Sequence, residues 1–294
     1  MKKGITMSGR GQRADIGETA IFRILPNRWV RSVGPFVFLD YIFPQINDQS
    51  LQTPGKGAHP HRGIATLSYI LQGENKHFDS AGHFAKVGPG GIQWMKAGKG
   101  IIHYETLLPN PASDSRIIEG FQCWINLPGK HKSENPEWLA IQAEDVPKKD
   151  LAHGAGSIKI IAGRYKELQS IIPEFSDQFF YHIQLNAGGH FTMDTKDPFE
   201  YGLFLPDHEA LINETDVSAG VFILFANDNG KIEISNPNDY IIDILIFGGA
   251  PYNEPIVAEG PFVMNTREEL AEAYQDFYLG KYGEIDYLKI LESL

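Results

Sequence analysis

The chain has one cysteine in 294 residues, Cys123, so no disulfide framework can form within it. That usage fits a reducing compartment. Its neighbours, Phe121-Gln122-Cys123-Trp124-Ile125, read as a strand and make it a buried structural thiol rather than a nucleophile. Long apolar runs are missing too. The longest, residues 240–247, is interrupted by Asp243 and is too short to span a bilayer. No apolar stretch follows Met1-Lys2-Lys3, as a signal peptide would require, because residues 8–18 are polar. Positive charge is scarce: 26 Lys and Arg stand against 37 Asp and Glu, a formal charge of −11. That balance argues against a general nucleic-acid binder, since neutralising phosphates needs a basic surface. The expectation is a cytoplasmic monomer without membrane segments or direct nucleic-acid contact.

What is present is β-structure. Thirty glycines and eighteen prolines are scattered rather than clustered, as short strands joined by tight turns require. Residues 1–15 carry little apolar content and read as a loosely docked arm. Residues 19–25 alternate, 29–33 are a weaker strand candidate, and 36–43 are a buried strand by composition. Asp40 inside that last stretch needs a partner. Residues 65–71 alternate, and Gln72-Gly73-Glu74-Asn75 offers hairpin chemistry before a return strand from Lys76. From about residue 152 the pattern restarts, with strand-like stretches at 157–163, 178–185, 200–205, 220–226, 231–235 and 240–247. Two domains follow, 1–150 and 151–294. The C-terminus changes character: Thr266-Arg267-Glu268-Glu269 is a capping box, and Leu270, Tyr274, Phe277 and Tyr278 follow at helical spacing with Gly280 as the stop.

Two short motifs carry the chemistry, His59-Pro60-His61 and His103-Tyr104-Glu105. In a strand, residues i and i+2 share a face, so each pair aims two ligand atoms at one point. The pairs lie about 40 residues apart, room for two or three strands, and both follow glycine-rich turns (Gly55, Gly57; Gly98, Gly100). If they face one another inside a small barrel, three imidazoles and a carboxylate converge as a mononuclear metal site. A hydrogen-bonded surface pair is the alternative for any one His-x-His. His77 and Asp79 repeat the two-residue spacing, as a polar barrel rim or as contacts beside the metal. Gly88-Pro89-Gly90-Gly91 reads as a hairpin turn, since no helix start follows for a phosphate-binding loop. In the second half His182, His190 and His208 belong to no such pair, and that domain is expected to be metal-free.

The segments His59-Pro60-His61-Arg62-Gly63, Gly88-Pro89-Gly90, Gln93-Trp94-Met95, the run from Ala97 through His103-Tyr104-Glu105, and Trp124-Ile125-Asn126-Leu127-Pro128 resemble the pirin family. Glu254-Pro255-Ile256 and the run from Gly260 to Thr266 resemble its C-terminal part. The resemblance spans residues 10–283. It implies an all-β bicupin, two barrel- or jelly-roll-like domains facing each other with a short C-terminal helix. It also implies one divalent metal in the N-terminal domain, held by His59, His61, His103 and Glu105. Iron(II) is the family's usual metal; Mn, Ni, Co, Cu and Zn also suit nitrogen and oxygen donors. Where the family commonly has Glu and Asp this chain has Ala65 and Gly91, the first a change that removes a carboxylate near the ligand strand. Two functions follow from the resemblance. One is a dioxygenase using O₂ to open flavonols such as quercetin, with Glu105 catalytic as proton acceptor. The other is an iron-dependent regulator of protein partners such as transcription factors or metabolic enzymes.

Overall fold

The computed structural model describes residues 1–17, 19–47 and 57–288. Most of the 45–57 loop, Gly55 included, therefore lies outside the described residues. The chain is built from strands, with one α-helix, Arg267–Tyr278, among the described residues. It divides into two compact units, and neither is a continuous stretch. One comprises Met1–Tyr41 with Val146–Tyr252; the other comprises Ile42–Asp145 with the segment from Asn253 onward. The single boundary at 150/151 is thus replaced by crossings at 41/42, 145/146 and 252/253.

The first unit has a seven-stranded sheet, in the order Ile5–Arg10, Val221–Phe225, Glu200–Phe204, Ile242–Gly249, Gln178–Leu185, Gly156–Ala162, Lys148–Asp150. A four-stranded sheet accompanies it, His190–Asp194, Lys231–Ser235, Ala210–Ile212 and Thr215–Val217. A core of aliphatic and aromatic side chains, including Ile158, Ile183, Leu203, Ile223, Ile234 and Ile244, is buried in this unit. The N-terminal arm is corrected here. Ile5–Arg10 is an edge strand paired antiparallel with Val221–Phe225, and Gln12–Ile16 pairs with Thr19–Leu25. Its backbone bonds hold it where side chains alone would not, which is why sparse apolar content misled. Residues 29–33 form no strand. Asp40 finds its partner across the Arg23↔Asp40 pair, where the guanidinium makes two bonds of 2.8 and 2.9 Å to its carboxylate.

The second unit carries a four-stranded sheet, His59–His61, Ile101–Leu108, Glu74–Asp79 and Phe84–Val87. Within this unit the strands of its other sheet run Glu137–Ile141, Ile92–Lys96, Ile64–Gln72, Ile117–Asn126, the first four of seven. Gly73 does not close a hairpin. At φ +98 it takes the left-handed turn that passes the chain from Ile64–Gln72 in one sheet to Glu74–Asp79 in the other. Gly88-Pro89-Gly90-Gly91 likewise links strands of different sheets, Phe84–Val87 and Ile92–Lys96. Strand composition marks where a chain extends, but partner choice is set by the packed faces. The helix begins as expected: Thr266 accepts from the Glu269 amide, and the Glu269 carboxylate reaches back to the Thr266 amide. Leu270 and Ala273 pack with Phe262, Met264 and Tyr282, and this cluster touches Ile102 of the ligand-bearing sheet.

Candidate metal centre

Ile101–Leu108 is the central strand of the site. On one side His103 pairs directly with His59 and Ile101 with His61; on the other, His103 pairs with Asp79 and Glu105 with His77. Directly opposed residues share a face, and so do i and i+2. One face of this sheet therefore presents His59, His61, His103, Glu105, His77 and Asp79 together.

Three of these converge. The ligand atoms of His59, His61 and His103 lie within 4.8 Å of one another, and the His59 and His103 Nε2 atoms are 3.1 Å apart. Metal–nitrogen bonds of about 2.0–2.1 Å at right-angled to tetrahedral geometry would separate two such nitrogens by roughly 2.9–3.4 Å. The spacing fits. His59 Nδ1 faces the Gly57 carbonyl at 2.9 Å, and His61 Nδ1 faces the Pro261 carbonyl at 3.1 Å. A carbonyl only accepts, so both protons sit on Nδ1 and both Nε2 lone pairs are left for the centre. The Nδ1 of His103 is buried without a partner among the described residues, so its contacts lie on the Nε2 side. Burial, and then the neighbouring His59, push the His61 imidazole down to about 3. Burial together with His59, His61 and His77 hold His103 well below its ordinary value. Neutral imidazoles with converging lone pairs are what a divalent cation binds.

Glu105, the expected fourth ligand, is on the same face but outside that converged group. Its Oε1 accepts from Asn75 Nδ2 at 2.7 Å and its Oε2 from Gln122 Nε2 at 3.2 Å. His77 and Asp79 are not a polar rim: both are buried, and the His77 ring lies 5.5 Å from that of His103. Gln93 Nε2 donates to His77 Nδ1 at 3.0 Å, and His77 Nε2 donates to Asp79 at 3.0 Å. Trp138 stacks on His77 and on His83 and donates to Gln93 Oε1 at 2.8 Å. Burial raises the Asp79 carboxyl, but bonds from His77 and His83 outweigh it and hold the group below the usual range. Trp124 packs edge-on to His61, ring centres 5.0 Å apart.

Ala65 sits in the other sheet, across from Lys96, whose ammonium is held by Glu134 and Glu137. Gly91 leaves no space for a side chain, since an added Cβ would lie 2.7 Å from the Ile141 carbonyl. The spacing rule found His77 and Asp79. Asn75, two residues before His77 on the same strand, fits that rule as well. Gln93, Trp138 and Gln122 reach the site from strands that no local pattern connects to it, and the Pro261 carbonyl comes from 200 residues downstream.

Two units of paired β-sheets, one carrying a histidine trio on a sheet face, define a double cupin. Family models agree over most of the chain, Pirin over residues 18–125 and the Pirin C-terminal cupin domain over residues 180–283. The chain belongs to the pirin family. It is 33% identical to a Pseudomonas aeruginosa protein provisionally named a quercetin 2,3-dioxygenase, over 96% of this chain and 99% of the relative. Human pirin is 26% identical over 96% of this chain and 94% of its own. Among solved structures, a quercetin 2,3-dioxygenase from Acinetobacter baumannii matches with a TM-score of 0.88 and 28% identity, covering 97% of this chain and 99% of that one. A bacterial pirin from Escherichia coli in complex with nickel(II) shares the fold at 20% identity and a TM-score of 0.62, covering 84% of this chain and all of its own.

Proposed function

We propose that this chain is a metal-dependent dioxygenase of small enols or phenols, with flavonol ring opening of the quercetin 2,3-dioxygenase type as its leading reaction. The observation that carries the reading is the convergence of three imidazoles, with His61 and His103 buried and His59 partly exposed. A bound transition metal, iron(II) first among those that nitrogen and oxygen donors accept, would supply a Lewis acid and a site for O₂. His59, His61 and His103 would hold it. Glu105 would complete the donor set and take the proton of the substrate's hydroxyl, steadied by Asn75 and Gln122 so that its carboxylate stays aimed. Trp124 gives the His61 side an apolar wall that keeps water from it. The names of the Pseudomonas and Acinetobacter relatives support the substrate class, and the nickel complex supports the metal.

The test is elemental analysis of protein purified without added metal, followed by anaerobic quercetin titration and then air. About one metal per chain, a shifted flavonol spectrum and oxygen-triggered bleaching are expected, all lost in His61→Ala. Protein that binds iron but leaves quercetin untouched refutes the flavonol assignment; protein that takes up no metal after reconstitution refutes the centre itself.

A further inference from the structure

Two of the three imidazoles sit on the weakest element of their sheet. His59–His61 is a three-residue edge strand, paired only with Ile101–Leu108 in the sheet order. So short a pairing does not hold ligand geometry by itself. The other face of this ribbon, where Ile102 points away from the trio, is covered by the segment at residues 261–283.

That segment engages both ligand strands. On the first, the Pro261 carbonyl accepts from His61 Nδ1 and the Val263 amide donates to the Arg62 carbonyl at 3.1 Å. Arg62 then reaches the helix as a fork, Nη2 to Glu272 at 3.0 Å and Nη1 to Asp276 at 2.7 Å. Glu272 and Asp276 are four apart and so share a helix face. On the second strand, Gly100 has no side chain where Tyr282 packs: a Cβ there would lie 2.1 Å from the ring. Ser80 Oγ donates to the Tyr282 carbonyl and accepts from the Ile102 amide, while Ile102 packs on the Phe262–Tyr282 cluster. The buried Lys132 ammonium donates to the Gly63 and Val263 carbonyls, closing the same seam.

We propose that residues 261–283 form a strap that positions the metal ligands, with Arg62, gripped by Glu272 and Asp276, as its latch. Metal occupancy and strap docking are then coupled. Because coupling is reciprocal, metal binding protects the strap, and loosening the strap weakens the metal. The residue between the two parts is His61, whose ring is oriented by the Pro261 carbonyl, and partners of this kind typically change metal affinity by about 10–100-fold. Arg62, Glu272 and Asp276 are positioning residues acting through His61. The inference rests on the reading that the trio holds a metal.

The experiment uses the full chain and Ni²⁺ or Co²⁺ as probe. Hydrogen exchange across residues 261–283 is compared with and without Ni²⁺, and Ni²⁺ affinity is measured by chelator competition for wild type, Glu272→Gln/Asp276→Asn and Asp276→Glu. The expected results are slowed exchange on metal addition, roughly tenfold or greater loss of affinity in the folded double variant, a changed Co²⁺ visible spectrum, and recovery in Asp276→Glu. A purely structural brace would lower stability with and without metal alike and leave affinity and spectrum unchanged, and that result overturns the proposal. So does strap exchange indifferent to Ni²⁺. Wild-type protein that binds neither ion instead overturns the metal reading beneath it.

Discussion

Lys132 is a sharp test of the physics around this site. Its Nζ is buried and donates to the Gly63 carbonyl at 2.8 Å, Asn126 Oδ1 at 2.6 Å and the Val263 carbonyl at 2.7 Å. Burial pushes the ammonium down from 10.5 to about 7, against the pull of Glu254 and Glu269. The sign follows from linkage. Between pH 7 and 10.5 the unfolded chain still holds the proton that the folded chain releases, so stability rises with pH in that window. The slope is about 1.4 kcal/mol per pH unit, or about 5 kcal/mol over the whole gap, and below pH 7 it vanishes because both states are charged.

In Lys132→Met an unbranched apolar chain occupies the same channel. The variant loses a donor to three oxygens, about 1–3 kcal/mol each, and is relieved of desolvating an ammonium, several kcal/mol in the other direction. Near pH 6 these terms largely offset, and the variant should lie within about 3 kcal/mol of wild type. By pH 9 wild type has gained about 3 kcal/mol that the variant cannot. Urea unfolding followed by tryptophan fluorescence at pH 6, 7.5 and 9, in chelator, measures the difference; the other titrating groups are common to both proteins and cancel. Parallel stability profiles would refute a lowered Lys132.

Gly63→Ala should cost more than about 3 kcal/mol, because φ is +82 and the new Cβ would lie 2.0 Å from the Val263 carbonyl. Gly82→Ala, at φ +89 with nothing within 4 Å, should cost only the left-handed penalty of about 1–2 kcal/mol. Equal melting temperatures for the two variants would count against the clash. Thr266→Ala removes one half of the capping box and should cost about 1 kcal/mol, read as a drop of a few degrees in melting temperature; no drop would mean the helix is held by packing alone. Cys123 is buried and its thiol is pushed up by burial, so native protein at pH 8 should ignore a thiol reagent that titrates one equivalent in denaturant. Rapid native labelling would show the strand around it opening.

The trio was legible because period-two spacing is a local property. His59 and His61 need only extended backbone to share a face, as do His103 and Glu105, and Pro60 does not disturb that; the two pairs meet because His59–His61 pairs in register with Ile101–Leu108. The helix start was legible for the same reason, since Thr266 and Glu269 satisfy each other within one turn. Glu105 marks the limit of the rule. Spacing puts it on the right face, yet each of its oxygens also accepts from Asn75 or Gln122, and which way a carboxylate turns depends on residues from other strands. The Gly73 turn failed differently. Its residues suit a hairpin, but Ile64–Gln72 pairs with Ile92–Lys96 and Ile117–Asn126 while Glu74–Asp79 pairs with Ile101–Leu108 and Phe84–Val87.

The least legible feature was the return of the C-terminal segment to the ligand strands, and its physical reason bears on the site. Gly63 and Gly100 look in sequence like ordinary turn glycines beside the two motifs. In the structure both are also close-approach positions, one under the Val263 carbonyl and the other under the Tyr282 ring. A glycine at positive φ reports that the backbone turns; it does not report what lies against its missing Cβ. Arg62 is similarly silent: beside a ligand it reads as a surface charge, yet it is 6% exposed and committed to two carboxylates more than 200 residues away. The local sequence thus encodes which nitrogens can meet, and the distant segment encodes how firmly they are held. Metal affinity is therefore expected to respond to substitutions in residues 261–283 that touch no ligand atom.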